Sequence, residues 1–162
     1  MGCCFSFRRN ANEREPAATT LVSLETLEYK DTQKFIPPIS QGKVIKVYDG
    51  DTFTIGTYLA ASTISTVASK PEAYRFSVRM RGIDSPEMKT KNAHEREAAI
   101  KAQTALSMKI KNRVVELKNV AYDKYGRILA DVYLEEEHIN QWMLNNKHAK
   151  IYDGGKKEEF EM

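Results

Sequence analysis

One long helical stripe interrupts a run of strands, and its place in that run constrains the fold of this chain more than any other feature. Lys43 to Tyr48 is rich in β-branched residues, and Asp49-Gly50 turns it into Thr52-Phe53-Thr54-Ile55. A third strand is expected from about Tyr74 to Arg81, with Arg75, Ser77 and Arg79 on one face and Phe76, Val78 and Met80 on the other. The helix follows, from about Ala93 to Lys111, with Ala98, Ala102, Ala105, Leu106 and Ile110 as its apolar stripe. Its small side chains let a sheet approach closely. Two more strands are predicted around Val114–Ala121 and Ile128–Leu134. In the second of these, Ile128, Ala130, Val132 and Leu134 alternate with Leu129, Asp131 and Tyr133. Ile139, Trp142 and Met143 mark a second helix, and their spacing gives Trp142 a core-packing role.

Five strands with one helix after the third and another after the fifth is the order of an α+β OB-fold, a five-stranded β-barrel with two flanking helices. The 162 residues suffice for one well-buried core rather than two. With 29% charged and 41% hydrophobic residues, the composition is that of an ordinary globular domain. Basic and acidic side chains balance within the first 40 residues, so the net charge of +3 lies wholly beyond residue 40. That excess is compatible with a polyanionic partner without demanding one. Residues 57–73, rich in Ala, Ser and Thr, read as an extended hairpin or flexible insertion.

Three short motifs sit at the ends of these strands: Asp49-Gly50-Asp51-Thr52, Arg79-Met80-Arg81-Gly82-Ile83-Asp84-Ser85-Pro86-Glu87 and Asp123-Lys124-Tyr125-Gly126-Arg127. Carboxylates collect a hard cation and arginines collect a phosphate. Together they suggest hydrolysis of a phosphodiester. Each fragment alone has a plainer reading. Asp49-Gly50 could be a turn, Asp84 to Glu87 a helix-entry loop, Lys124 to Arg127 a solvated hairpin, and Arg81 an edge-strand charge.

In order and spacing the three motifs resemble the staphylococcal-nuclease (thermonuclease-like) family, from about Gly42 to about Tyr152. The resemblance implies the OB-fold and a calcium-dependent nuclease of DNA and RNA with little base specificity, leaving 3′-phosphate ends. It implies one Ca2+ held by Asp51, Asp84 and the carbonyl of Ser85, where family members often carry Thr, with Asp49 behind them. Glu87 takes the general-base position, and Arg79 and Arg127 match the two arginines that meet the phosphate. Lys124 and Tyr125 match residues that grip a neighbouring terminal phosphate. The expected partner is DNA or RNA, preferentially single-stranded. Relatives usually close the domain with a third helix. Here Tyr152-Asp153-Gly154-Gly155-Lys156-Lys157 stands in its place, so that helix is expected to be absent or truncated. A competing class is a catalytically weak module, as in Tudor-containing relatives, that only binds nucleic acid or protein. The complete set Asp51, Arg79, Asp84, Glu87 and Arg127 argues against it.

The first 40 residues carry a different signal. Met1-Gly2-Cys3-Cys4-Phe5-Ser6 fits the N-myristoylation pattern at Gly2, with Cys3 and Cys4 as palmitoylation sites and Arg8-Arg9 beside them for anionic lipid. One myristoyl chain anchors only marginally, so a second is the physical complement. Residues 1–9 are therefore expected to be an acylated terminus, 10–40 a largely disordered linker, and 41–162 the nuclease-like domain. Within the linker, Leu21, Leu24 and Leu27 recur at the spacing of one short helix. No signal-peptide core is present, which points to an intracellular protein at the cytoplasmic face of a membrane rather than a secreted one. No Cys/His spacing suggests zinc, and no small-molecule cofactor is expected. His94, His138 and His148 read as solvated surface histidines.

Overall fold

The computed structural model describes residues 24–59 and 72–155. The chain divides into two compact units, 1–35 and 36–162. In the described part of the first, Leu24–Thr26 and Tyr29–Asp31 form two short 3-10 turns, not the continuous helix expected from the leucine spacing. Leu24 is 85% exposed and Leu27 47%, so no buried apolar face repays the cost of nucleating a helix. Leu21, like the acylation motif, lies outside the described residues.

The second unit is built on β1 (Gln41–Val47), β2 (Thr52–Tyr58), β3 (Ala73–Met80), β4 (Ile83–Asp84), α1 (Ala93–Ile110), β5 (Val114–Tyr122), β6 (Ile128–Leu134), β7 (Glu137–His138), α2 (Ile139–Asn145) and β8 (Lys150–Ile151). Antiparallel pairing gives the order β3-β2-β1-β5-β6. Parallel pairing of Val78, Arg79 and Met80 with Ile128, Leu129 and Ala130 then joins the two ends. The sheet is thereby a closed five-stranded barrel, which removes exposed edges, and with its two helices it is an OB-fold. Two bulges help it curl. One sets Ile45 between paired Val44 and Lys46. The other, between Lys118 and Ala121 of β5, puts Asn119 in the left-handed region at φ 53°.

Alternation decides what enters the barrel. Val44, Phe53, Ile55, Val78, Val115, Ile128, Ala130 and Val132 are fully or almost fully buried. Helix α1 covers them with Ala99, Ala102, Leu106 and Ile110. The buried stripe is thus rotated from the expected one, leaving Ala98 and Ala105 half-buried at its margins. Asn92 starts α1 by accepting hydrogen bonds from the backbone N–H of His94 and Glu95. Helix α2 contributes Ile139 and Met143, while Trp142 is half-buried at the rim of the core. Buried Asn140 accepts from Val132 N–H at 2.9 Å and donates to Arg81 C=O at 2.8 Å, tying α2 to the end of β3.

Strands β2 and β3 stay paired out to Tyr58 and Ala73. They therefore take both ends of the expected insertion; residues 60–71 lie outside the described residues. Of the three histidines only His94 is exposed. His138 stacks on Tyr133 with ring centroids 4.6 Å apart. His148 leans on Trp142, and burial pushes its pKa below the usual value. After α2, β8 pairs with β4, and no third helix occurs among the described residues. No helix among them is long and apolar enough to cross a membrane.

Candidate active site

The turn between β1 and β2 supplies Asp49 and Asp51. Gly50 is required there for room rather than for backbone freedom. A methyl group on it would stand 2.8 Å from both the Ala102 Cβ of α1 and the Ser85 Cβ. The turn is thereby pressed between the helix and the loop after β4. Asp51 Oδ1 accepts from Thr52 Oγ1 at 2.9 Å, and Oδ2 accepts from Ser85 N–H at 2.8 Å. The second of these bonds ties the first motif to the second.

Arg79, the last residue but one of β3, pairs with Thr52, and its side chain is 10% exposed. Its Nη2 donates to Asp84 Oδ1 at 2.8 Å. Its Nη1 forms an ion pair with Asp51 Oδ2, without the alignment of a good hydrogen bond. Arg79 therefore bridges the two carboxylates, where the resemblance implied an arginine that meets the phosphate. The reason is electrostatic: two carboxylates out of water attract the nearest cation, and β3 delivers it.

Asp49 lies behind Asp51 and accepts its N–H at 3.2 Å. Burial first, then the charge of Asp51, pushes the Asp49 carboxyl up from 3.8 to about 6. The folded protein thus holds this proton more tightly than the unfolded chain. The associated stability is complete below pH 3.8 and is lost as pH rises through about 6. Asp49→Asn keeps an acceptor for Asp51 N–H and does not ionise. In chelator, its unfolding free energy relative to wild type should rise between pH 4 and pH 7 by at most about 3 kcal/mol. Urea unfolding across that range measures the difference; a constant difference would refute the shift.

The third motif is organised by Asp123, a residue the motif reading left without a role. Its Oδ1 accepts from the N–H groups of Tyr125 (2.8 Å) and Arg127 (2.9 Å), and its Oδ2 takes Arg127 Nε at 2.6 Å. Burial raises this carboxyl, but the bonds and charge from Arg127 and Tyr125 outweigh it and hold its pKa below the usual range. Gly126 sits at φ 79°, a left-handed position that suits glycine. An Asp three residues before a Gly was the available sign of such a turn. The Tyr125 ring lies 5.1 Å from Lys124 Nζ and 5.4 Å from Arg127 Cζ.

One cavity of about 880 Å³ is lined by all three motifs. Asp49, Asp51, Arg79, Asp84, Ser85, Glu87, Lys124, Tyr125 and Arg127 all border it. Asp51, Asp84 and Ser85 are buried, whereas Glu87 is exposed, with its backbone N–H donating to Glu95 Oε1 at 3.4 Å. Glu87 does not join Asp51 and Asp84 in a three-carboxylate cluster, and no such metal-sized group of three occurs among the described residues. Tyr152, Asp153 and Gly154 also line the cavity. They arrive because β8 pairs with β4 and Tyr152 N–H donates to Gly82 C=O at 2.9 Å. Two-residue strands leave no readable pattern, so nothing in the sequence marked this wall. A second depression, near Met108, is bordered by the ion pairs Lys109–Glu137 and Arg113–Glu135 and holds none of the motif residues.

A closed OB-fold barrel with buried carboxylates, arginines and a lysine around one cavity defines a class of site suited to phosphate esters. The staphylococcal nuclease homologue family model matches residues 77–161, just over half of the chain, and the chain belongs to that family. The probable staphylococcal-like nuclease CAN2 of Oryza sativa subsp. japonica is 36% identical over 91 residues, 54% of this chain and 23% of that protein. The probable staphylococcal-like nuclease CAN3 of the same organism is 39% identical over 91 residues, 54% of this chain and 22% of that protein. The match thus spans less than a quarter of these curated relatives. Asp49 and Asp51 precede the family match, and it is the barrel that adds them to the cavity.

Proposed function

We propose that this chain is a calcium-dependent nuclease that hydrolyses phosphodiesters of DNA and RNA, single-stranded substrates foremost, with little base specificity. The observation that carries this reading is the meeting of three sequence-distant motifs on one cavity, carboxylates and arginines together. The candidate ligands Asp51, Asp84 and the Ser85 carbonyl all present oxygens, and behind them burial first, then the charge of Asp51, raises Asp49. That chemistry fits a hard cation. One Ca2+ would be held by Asp51, Asp84 and the Ser85 carbonyl. When bound, it supplies positive charge that lessens the repulsion between a phosphodiester and an attacking water.

The protein's own groups do the rest. Glu87 takes a proton from the water as its oxygen adds to phosphorus. Arg127 is oriented by Asp123 through Nε, which leaves its terminal nitrogens for the phosphoryl oxygens. Arg79 acts there too once its carboxylates are shared with another cation. Lys124 and Tyr125 hold an adjacent phosphate. The bond from phosphorus to the 5′-oxygen breaks, the departing oxygen takes a proton from solvent water, and the products carry a 3′-phosphate and a 5′-hydroxyl. Purified protein incubated with single-stranded DNA and RNA in calcium, magnesium or EDTA tests this. Calcium-dependent cleavage with 3′-phosphate ends is expected; binding without cleavage in every ion would make the chain a binding module instead.

The reading includes tethering to the cytoplasmic face of a membrane through Gly2, Cys3 and Cys4. Its support is the pairing of a myristoylation pattern with adjacent cysteines, because stable anchoring takes two signals. In a eukaryotic cell Gly2→Ala should move the protein from the membrane fraction to the soluble one. An intact mass without added lipid would end this part of the proposal.

A further inference from the structure

We propose that a nucleic-acid strand held in the cavity continues along the outer face of β1, β2 and β3, gripped through its phosphates by Lys46, Lys43 and Arg75. This rests on the nuclease reading only for the identity of the occupant. Arg79, in the cavity wall, is the first of a series: Arg79, Ser77 and Arg75 share one face of β3, because side chains alternate along a strand. Strand register extends the series sideways. Thr52 pairs with Arg79, Lys46 and Thr54 lie level with Ser77, and Lys43 and Gly56 lie level with Arg75. Successive levels are two residues, about 7 Å, apart, so cations recur at intervals leading away from the cavity.

The floor of this track is low and partly apolar. Threonines and Gly56 occupy the middle strand, and the bulged Ile45 lies over Gly56, where a methyl group would stand 2.8 Å from its Cδ1. Ile45 and Tyr48 are each 47% exposed; the Tyr48 ring can stack on a base, and Ile45 adds apolar contact beside it. Tyr48 accepts a hydrogen bond from Thr54 Oγ1 at 3.3 Å and lies 4.6 Å from Lys46 Nζ, so it belongs to the same face. Lys43, Lys46 and Arg75 are exposed and have no ion-pair partner among the described residues. Acidic groups stand at the margins of this face: Glu116, level with Gln41 at the far end, and Glu72, which accepts from Tyr74. Unneutralised cations continuous with a phosphate-binding cavity favour a polyanionic strand over any other occupant.

The experiment measures binding of fluorescein-labelled oligothymidylates of 3 and 12 nucleotides in EDTA, as a function of salt, to the full chain and to the variant Lys43→Gln/Lys46→Gln/Arg75→Gln. The wild type should bind the 12-mer more tightly than the 3-mer. The variant should lose roughly tenfold in 12-mer affinity at low salt, and its log–log salt slope should fall by about 2, while 3-mer binding holds. Arg75→Gln alone should show about a third of that slope change, which guards against a misfolded triple variant. An unchanged salt slope overturns the proposal, as does equal loss for both lengths. So does a variant that loses only its binding to phosphatidylserine vesicles, which would make the face a membrane contact. Because cleavage is absent in EDTA, length-dependent binding without calcium-stimulated cleavage would leave the track standing and remove the nuclease reading.

Discussion

Replacing Glu87 by glutamine is expected to lower turnover by roughly 100- to 10,000-fold, the range typical when a positioned general base is removed. The substitution keeps the shape of the side chain and alters one proton-accepting group. Glu87 is exposed and carries no core packing, so the fold should be indifferent to the change. Oligonucleotide affinity should also survive, because Arg79, Lys124 and Arg127 are untouched. Single-turnover rates and binding isotherms on the same preparations separate the two effects. A variant that cuts as fast as wild type would remove Glu87 from the mechanism.

The second large effect concerns Arg79. Its guanidinium bridges Asp51 and Asp84, whose side chains are only 6% and 8% exposed. Arg79→Met fills similar space without the charge and strands two carboxylates out of water. Removing one partner from a buried ion cluster costs about 3–5 kcal/mol, and that loss is expected in metal-free buffer. Calcium should then restore much more stability to the variant than it adds to wild type, because in wild type it must share carboxylates that Arg79 already neutralises. Chemical denaturation with EDTA and with calcium gives both quantities. A loss below about 1 kcal/mol, or equal calcium effects on the two proteins, would mean that the bridge does not hold the site together.

The barrel was legible where burial follows a simple period. In β6, Ile128, Ala130, Val132 and Leu134 point inward by strict alternation, and the structure buries those four. Helix α1 was legible in extent but not in rotation: Ala98, Ala99, Ala102 and Ala105 look alike in sequence, and only contact with the sheet selects two of them. The bulges at Ile45 and Asn119 change register without changing composition, so nothing local announces them. At the site, loop motifs could name Asp51, Asp84, Glu87 and Arg127. They could not say that Arg79 neutralises two of the carboxylates, because that depends on three segments meeting in a region of low dielectric. Asp123 was a missed local signal, whereas Tyr152 was never a local one.

The parallel seam between β3 and β6 also has a consequence for how the molecule comes into being. Val78 finds Ile128, 50 positions further along the chain, only after the residues between them have been arranged. Closing so distant a pairing costs chain entropy before its contacts can repay it, so formation of the seam should be slow and late compared with formation of α1. The cavity draws on residues from Asp49 to Gly154, on both sides of that seam. A nascent or half-folded chain therefore holds scattered acidic and basic loops but no assembled cavity, and the proposed nuclease competence should appear abruptly, with the last cooperative step of folding.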